Sequence, residues 1–142
     1  MSAKVKLFVL ACIDPRFRHA TQIFIERKFR VKPTEYDLKT DAGGAKEIVT
    51  GGHIGEWLVA NIGIGHKHHG ARIFVLVNHI DCAYYGGSKS FVSIAEEHNT
   101  QYRDLRNAVE KLKAQFLDVE VYAYLVSKEE KPREKFIFQQ VV

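Results

Sequence analysis

A nearly uninterrupted apolar run close to the N-terminus, Lys4 to Ala11 (KVKLFVLA), constrains the fold more than any other feature of the sequence. Its side chains do not alternate between apolar and polar, so the run predicts a strand buried on both faces, as in a parallel sheet. A second run of this kind lies at Ala71 to Asn78 (ARIFVLVN). Two such strands with helical patterns between them predict an α/β protein.

The remaining periodicity predicts three helices and three further strands. Apolar residues at helical spacing predict helices over residues 17–30, 47–66 and 93–116. Shorter runs predict strands over residues 35–39, 118–127 and 136–142, the last at a sheet edge. Glycines weaken the start of the second helix, which could begin after Gly52. Its core candidates are Ile48, Ile54, Trp57, Leu58, Val59, Ile62 and Ile64. The third segment is expected to form either one long helix or a helix pair interrupted at Asn99-Thr100. The pattern is typical of a mostly parallel central sheet of four to five strands flanked by helices.

Length and composition limit the classes of protein to which the chain can belong. At 142 residues it is expected to form a single domain over residues 1–142, and 46% hydrophobic and 27% charged residues are typical of a soluble globular protein. No apolar run is long enough to cross a bilayer, and the first residues lead into a strand rather than a signal sequence, which predicts a cytoplasmic location. A net charge of +4 is too small to indicate nucleic-acid binding by itself.

Both buried strands end in side chains that can bind a metal ion. Cys12 and Asp14 follow the first strand, which Pro15 ends because proline cannot donate to a strand ladder. His79 and Cys82 follow the second strand. If the two strands are parallel neighbours, the two thiols and the imidazole converge at one edge of the sheet. Two thiolates, one imidazole and an open position are typical of a catalytic zinc site.

Simpler explanations of these residues remain open at this point. Buried cysteines often act as small apolar side chains, and a single histidine is usually a hydrogen-bonded structural residue. The two cysteines could also form one disulfide, although a chain without an export signal more commonly keeps its thiols reduced. Gly43-Gly44 would allow the backbone to approach the edge of the sheet at which the thiols and the imidazole converge, here called the metal edge. An ordinary turn has the same composition.

The order and spacing of these motifs resemble those of the β-class carbonic anhydrases. The family's Cys-x-Asp-x-Arg pattern is present from Cys12 to Arg16 (CIDPR), and its His-x-x-Cys pattern from His79 to Cys82 (HIDC). The segment Asp41 to Gly44 (DAGG) is similar to the family's Asn-Ala-Gly loop. The resemblance covers roughly Val5 to Gly87 and, more loosely, the final strands. It implies the family's fold, one Zn2+ ion per chain, and a homodimer or a higher homo-oligomer.

The resemblance also implies an activity, the reversible hydration of CO2 to bicarbonate by zinc-bound hydroxide. Cys12, His79 and Cys82 would hold the metal. Asp14 would either close the site as a fourth ligand or pair with Arg16 and accept a hydrogen bond from the nucleophile. A bidentate pair of this kind requires the planar guanidinium of arginine.

Other residues near these motifs have less specific expectations. Gly43 and Gly44 would lie in a loop near the site. Asp81 would orient a metal ligand, cap the helix that follows or bond to its own loop. Pro15 replaces the serine that the family usually has, and Ala83 replaces a glycine after the last ligand. The chain also begins its first strand at once, without the N-terminal helical arm with which family members wrap a partner subunit.

Three other functions are compatible with the sequence. The first is a zinc hydrolase of the same fold that acts on a related small molecule, carbonyl sulfide or carbon disulfide. The second is a non-catalytic zinc-binding protein in which Asp14 permanently fills the fourth position. The third is a basic nucleic-acid-binding domain that uses Tyr84 and Tyr85, but the sequence has no basic-aromatic motif of that kind.

Overall fold

The computed structural model describes residues 2–142, which build a five-stranded sheet with helices on both faces. The strands are β1 (Leu7–Ala11), β2 (Tyr36–Thr40), β3 (Ile73–His79), β4 (Glu120–Glu129) and β5 (Lys135–Gln140). The helices are α1 (Pro15–Phe29), α2 (Lys46–Thr50), α3 (Gly52–Lys67) and α4 (Ile94–Gln115). The strand order is β2-β1-β3-β4-β5, and only β5 pairs antiparallel with its neighbour. The predicted α/β class with a mostly parallel sheet is confirmed.

Alternate residues of the central strands supply two separate apolar layers. On β1, Phe8 and Leu10 pack into the layer formed with α2, α3 and α4. Leu7 and Val9 pack into the layer on the other face, which α1 covers. All four side chains are buried. The apolar run therefore does not alternate because both faces of the strand are covered.

Three helix boundaries differ from the sequence-based expectation. Helix α1 begins earlier than predicted, at Pro15, because Asp14 caps it and proline suits the first helical position. The second predicted helix is divided into α2 and α3 at Gly51 and Gly52, which both have positive φ. Of the two alternatives for the third helix, the pair divided at Asn99-Thr100 is wrong, because α4 is continuous there. Packing of its buried face outweighs the weak helix propensity of these two residues.

Helix α3 buries only part of its predicted core. Leu58 and Ile62 are buried against the sheet, as predicted. Ile54, Trp57 and Ile64 are wrongly predicted as core residues, since 50%, 62% and 51% of their surface is exposed. The helix is apolar on several sides, so its periodicity does not specify which side packs. None of the helices within residues 2–142 is long and apolar enough to span a membrane.

The connections that leave β1 and β3 diverge. The chain runs from β1 through α1 to β2 on one side, and from β3 through α4 to β4 on the other. The two helices also cover opposite faces of the sheet. A crevice therefore opens at the carboxyl ends of β1 and β3, the usual position of ligand sites in open α/β sheets.

Candidate metal centre

The register of β1 and β3 brings the two sequence motifs together. The strands pair in parallel, with Ala11 opposite Val77. Cys12 follows β1 directly, and His79 is the last residue of β3, while Cys82 lies in the loop beyond it. One ligand atom from each of these three residues lies within 4.8 Å of the others, and no other group of this kind occurs within residues 2–142. The three predicted ligands therefore form a cluster that could hold a metal ion.

The distance between the two sulfur atoms fits a zinc site and not a disulfide. Both cysteines are free thiols, and their Sγ atoms lie 3.8 Å apart. A disulfide would require about 2.05 Å. Two sulfurs that are each about 2.3 Å from a tetrahedrally coordinated zinc ion lie about 3.8 Å from one another. The spacing of Cys12 and Cys82 therefore needs no rearrangement to accept the metal.

The imidazole of His79 presents a free nitrogen to these sulfurs. Only 2% of the residue is exposed, and Nδ1 lies 2.8 Å from the carbonyl oxygen of Ile80. A carbonyl only accepts, so Nδ1 carries the hydrogen, and in the neutral imidazole the free lone pair is on Nε2. Nε2 is buried and has no hydrogen-bond partner among residues 2–142. An unsatisfied buried nitrogen is unfavourable, and a metal ion at this position would satisfy it.

Two further contacts prepare the ligands for metal binding. The ring of Phe17 stacks on that of His79 with the centroids 4.4 Å apart, which fixes the plane of the imidazole. The hydrogen bond between the two thiols lowers the pKa of Cys12 and raises the pKa of Cys82. The cluster therefore favours one thiolate, the form of cysteine that binds metals.

Asp14 lies beside the ligands and is held by Arg16. Oδ1 of Asp14 accepts a hydrogen bond from the Arg16 backbone nitrogen at 2.9 Å, which caps α1. The guanidinium donates to both carboxylate oxygens, from Nε to Oδ1 at 3.1 Å and from Nη2 to Oδ2 at 2.7 Å. These bonds lower the pKa of Asp14, so the carboxylate stays ionised. Its Oδ2 is 3.7 Å from Nε2 of His79.

Asp81 bonds to its own loop and to Arg16. Its Oδ1 accepts a hydrogen bond from the backbone nitrogen of Ser88 at 2.8 Å, and its Oδ2 accepts one from Nη1 of Arg16 at 3.0 Å. No hydrogen bond joins it to a ligand side chain in the described part of the chain. The sequence offered no signal for the pair with Arg16, because the pair depends on the conformation of the loop after β3, where Asp81 has a positive φ.

The Gly43-Gly44 loop packs onto the same edge of the sheet. Both glycines have positive φ, 81° and 60°. A Cβ on Gly43 would lie 2.7 Å from Cδ2 of Tyr84, and one on Gly44 would overlap Oδ1 of Asn78. The loop therefore approaches the end of β3 and the residues after Cys82 as closely as glycine allows.

Two buried amides support this edge of the sheet, and the sequence analysis missed both. Oδ1 of Asn78 accepts a hydrogen bond from the Ala45 backbone nitrogen at 3.0 Å, and its Nδ2 donates to Oε1 of Gln101 at 2.8 Å. Nε2 of Gln101 donates in turn to the carbonyl oxygen of His79 at 3.2 Å. The available signal was a polar residue within a buried strand and another on the packed face of α4.

A cavity of about 380 Å³ opens beside the thiols and is lined mainly by apolar atoms. Ile13, Ala42 and Tyr84 contribute to its walls. A larger groove of about 670 Å³ lies between α1 and β5, but neither thiol lines it. A much smaller pocket of about 10 Å³ is lined by Cys12 and His79. The cavity of about 380 Å³ is therefore the one that both thiols line and that has room for a small molecule.

The two departures from the expected motif are accommodated without strain. Pro15 occupies the first position of α1, where no backbone donor is needed. Among residues 2–142, Arg30 and Asp81 are the only non-glycine residues with positive φ, so Ala83 does not adopt a conformation that requires glycine.

Comparisons with known proteins identify the family of this chain and similar folds. Residues 2–135 match the model of a protein family described as "Putative carbonic anhydrase". The structure is similar to a β-carbonic anhydrase of Trichomonas vaginalis, with a TM-score of 0.60, 14% identity, and coverage of 97% of this chain and 85% of that one. It is also similar to a carbonic anhydrase of Glaciozyma antarctica, with a TM-score of 0.61, 13% identity, and coverage of 100% of this chain and 85% of that one. A third similar structure comes from work on tetrameric β-carbonic anhydrases of Sordaria macrospora. Its TM-score is 0.53, its identity is 17%, and the match covers 88% of this chain and 77% of that one. No curated protein matches the sequence.

Proposed function

Because this chain belongs to the carbonic anhydrase family whose model it matches over residues 2–135, we propose that it is a zinc-dependent lyase. The proposed reaction is the reversible hydration of CO2 to bicarbonate. The observation that carries the proposal is the cluster of Cys12, His79 and Cys82 beside the paired side chains of Asp14 and Arg16.

Three atoms of the cluster would hold one zinc ion, namely Sγ of Cys12, Sγ of Cys82 and Nε2 of His79. The separation of the sulfurs and the unpartnered imidazole nitrogen support this assignment. When bound, zinc supplies a Lewis acid that lowers the pKa of a coordinated water from about 16 to roughly 7.

Asp14 is the proposed hydrogen-bond acceptor next to the reacting water. Its Oδ2 lies 3.7 Å from Nε2 of His79, and its lowered pKa keeps it ionised and able to accept. Arg16 holds both of its oxygens and so keeps the carboxylate from filling the fourth ligand position. If this pair opened, Asp14 could become that ligand and close the site.

The apolar cavity beside the thiols supports a small uncharged substrate. Most of its lining surface is apolar, with Ile13, Ala42 and Ala83 in its walls, while Asp14, Tyr84 and the two cysteines are its polar members. The apolar surface suits CO2, and it would release bicarbonate readily because an anion is poorly solvated there. Carbonyl sulfide and carbon disulfide have a similar shape and polarity, so they are included in the test below.

A homo-oligomer is part of the proposal. The Sordaria macrospora relatives are described as tetrameric. Helix α3 exposes Ile54, Trp57 and Ile64 at helical spacing, and a stripe of apolar side chains of this kind is typical of a surface that a second subunit covers.

The test is metal analysis of the purified protein together with stopped-flow hydration of CO2. We expect about one zinc ion per chain and saturable hydration, with both lost in Cys82→Ser. Zinc binding without hydration across neutral and alkaline pH would contradict the proposal and favour a non-catalytic zinc protein. Faster turnover of carbonyl sulfide or carbon disulfide than of CO2 would instead assign the site to a hydrolase.

A further inference from the structure

Arg16 is held between two carboxylates, not one. Its Nε and Nη2 donate to Asp14, while Nη1 donates to Oδ2 of Asp81 at 3.0 Å. Nη2 also donates to the backbone carbonyl of Asp81 at 2.8 Å. The guanidinium therefore links the segment after β1 directly to the backbone of the loop after β3.

Asp81 is itself fixed by a buried glutamate of α4. Its backbone nitrogen donates to Oε2 of Glu97 at 2.7 Å, and the hydroxyl of Ser88 donates to Oε1 of the same carboxylate at 2.8 Å. Only 2% of Glu97 is exposed, and it lies in the first turn of α4, where the helix dipole favours a negative charge. These bonds hold Asp81 at its φ of 61°, which is otherwise unfavourable for a residue with a side chain.

We propose that Asp81, held by Glu97, is a positioning residue that keeps Arg16 paired with Asp14 and so keeps the fourth metal position open. The inference rests on the proposed function, since it concerns the same metal centre. Asp14 lies close enough to the cluster to close it, with Oδ2 3.7 Å from Nε2 of His79. A guanidinium anchored from its far side cannot follow the carboxylate towards the metal, so closing the site requires breaking the Asp14–Arg16 bonds.

An ordinary surface ion pair would not have this role. The side chains of Arg16 and Asp81 are 46% and 52% exposed, and exposed pairs alone contribute little to stability. Two features distinguish this pair. Arg16 also bonds to a main-chain carbonyl, and a buried carboxylate on a different helix holds the loop that carries Asp81.

The test uses cobalt(II) in place of zinc and follows the visible absorption of the metal during titration with azide. Azide can bind only where the fourth position is free. In Asp81→Asn we expect cobalt to remain bound and azide affinity to fall by at least about tenfold, the usual size of an effect from residues that support metal ligands. Removing a negative charge would by itself strengthen anion binding, so a loss of affinity has the opposite sign from the simple electrostatic effect.

Two further variants make the result specific. In Asp81→Asn combined with Asp14→Asn, azide affinity should return to the wild-type range, because the residue that closes the site has lost its charge. Glu97→Gln should weaken azide binding in the same direction as Asp81→Asn. Asp118→Asn is the matched control, because Asp118 is an exposed residue that pairs with His66 before β4, at the other end of the sheet.

Wild-type azide affinity in both Asp81→Asn and Glu97→Gln would overturn the inference. A loss that the Asp14 substitution does not restore would also overturn it. Because the Asp81 side chain is half exposed, its replacement is expected to leave folding intact, which circular dichroism checks. A wild-type protein that binds cobalt and azide but does not hydrate CO2 would contradict the proposed function and leave this inference unchanged.

Discussion

Oδ1 of Asn78 occupies the space that a side chain on Gly44 would need. The same oxygen accepts a hydrogen bond from the backbone nitrogen of Ala45, so the loop after β2 is tied to the end of β3. Asn78 directly precedes the proposed ligand His79 in the chain. The absence of a side chain at position 44 is therefore a condition for the close packing of the metal edge.

Gly44→Ala should destabilise the protein through this overlap. The new methyl group would displace Oδ1 of Asn78 and leave a buried amide unsatisfied, which costs about 1–3 kcal/mol beyond the backbone strain. Gly70→Ala is the matched control, because Gly70 also has positive φ and nothing lies within 4 Å of its added Cβ. Denaturant unfolding measures both variants. Equal losses of stability would show that strain alone matters and that the contact with Asn78 does not.

The sequence was sufficient to predict the cluster but not its surroundings. Cys12, His79 and Cys82 could be placed together because two uninterrupted apolar runs predict parallel buried strands, and each run ends in a ligand. The bond between Arg16 and Asp81 could not be predicted, because it depends on the loop after β3 adopting a positive φ. Local sequence patterns do not specify such a loop conformation.

The sequence was likewise sufficient to predict the elements of the fold but not the orientation of every helix. The strands, the helices and their order along the chain follow from the spacing of apolar residues, since buried strands and amphipathic helices have different periods. The orientation of α3 did not follow, because a helix with apolar residues on several sides gives no single buried face. Trp57 is therefore exposed on this chain although its residue type is typical of a core.

Gln101→Ala should destabilise the metal edge from the side of α4. Gln101 is fully buried, accepts a hydrogen bond from Asn78 and donates one to the backbone of His79. Its removal leaves two buried polar groups without partners, and each of them should lower the free energy of unfolding by about 1–3 kcal/mol. Gln115→Ala, at the exposed end of the same helix, should have a much smaller effect in denaturant unfolding. Similar losses for the two variants would contradict a role for the amide chain.

Asp14→Asn should separate metal binding from turnover. Asparagine caps helices as well as aspartate does, so the stability of α1 and the bound zinc should remain. CO2 hydration should fall by about 100-fold or more, as expected when a positioned proton acceptor is lost. Metal analysis and stopped-flow assays on the same preparation measure both properties. Undiminished hydration would contradict the proposed role of the carboxylate.

Trp57→Glu should dissociate the proposed homo-oligomer. A charge placed in the exposed apolar stripe of α3 would be unfavourable within an interface and harmless in solvent. Light scattering should therefore show a lower molar mass for this variant than for the wild type. Lys28→Glu, on α1 across the sheet, is the charge-changing control and should keep the wild-type mass. An unchanged mass for Trp57→Glu would exclude this surface as the interface.

Zinc should stabilise the folded protein through the cluster alone. An ion that binds only the folded state at a free concentration a thousandfold above its dissociation constant adds about 4 kcal/mol to the free energy of unfolding. A chelator should remove this increment from the wild type and leave Cys82→Ser unaffected, because that variant lacks one of the two thiolates. His68→Ala provides the control for binding at the exposed histidine before β3, and its zinc response should equal that of the wild type. If Cys82→Ser kept the full response, the stabilising ion would have to bind elsewhere, and the sulfur spacing of 3.8 Å would have another explanation.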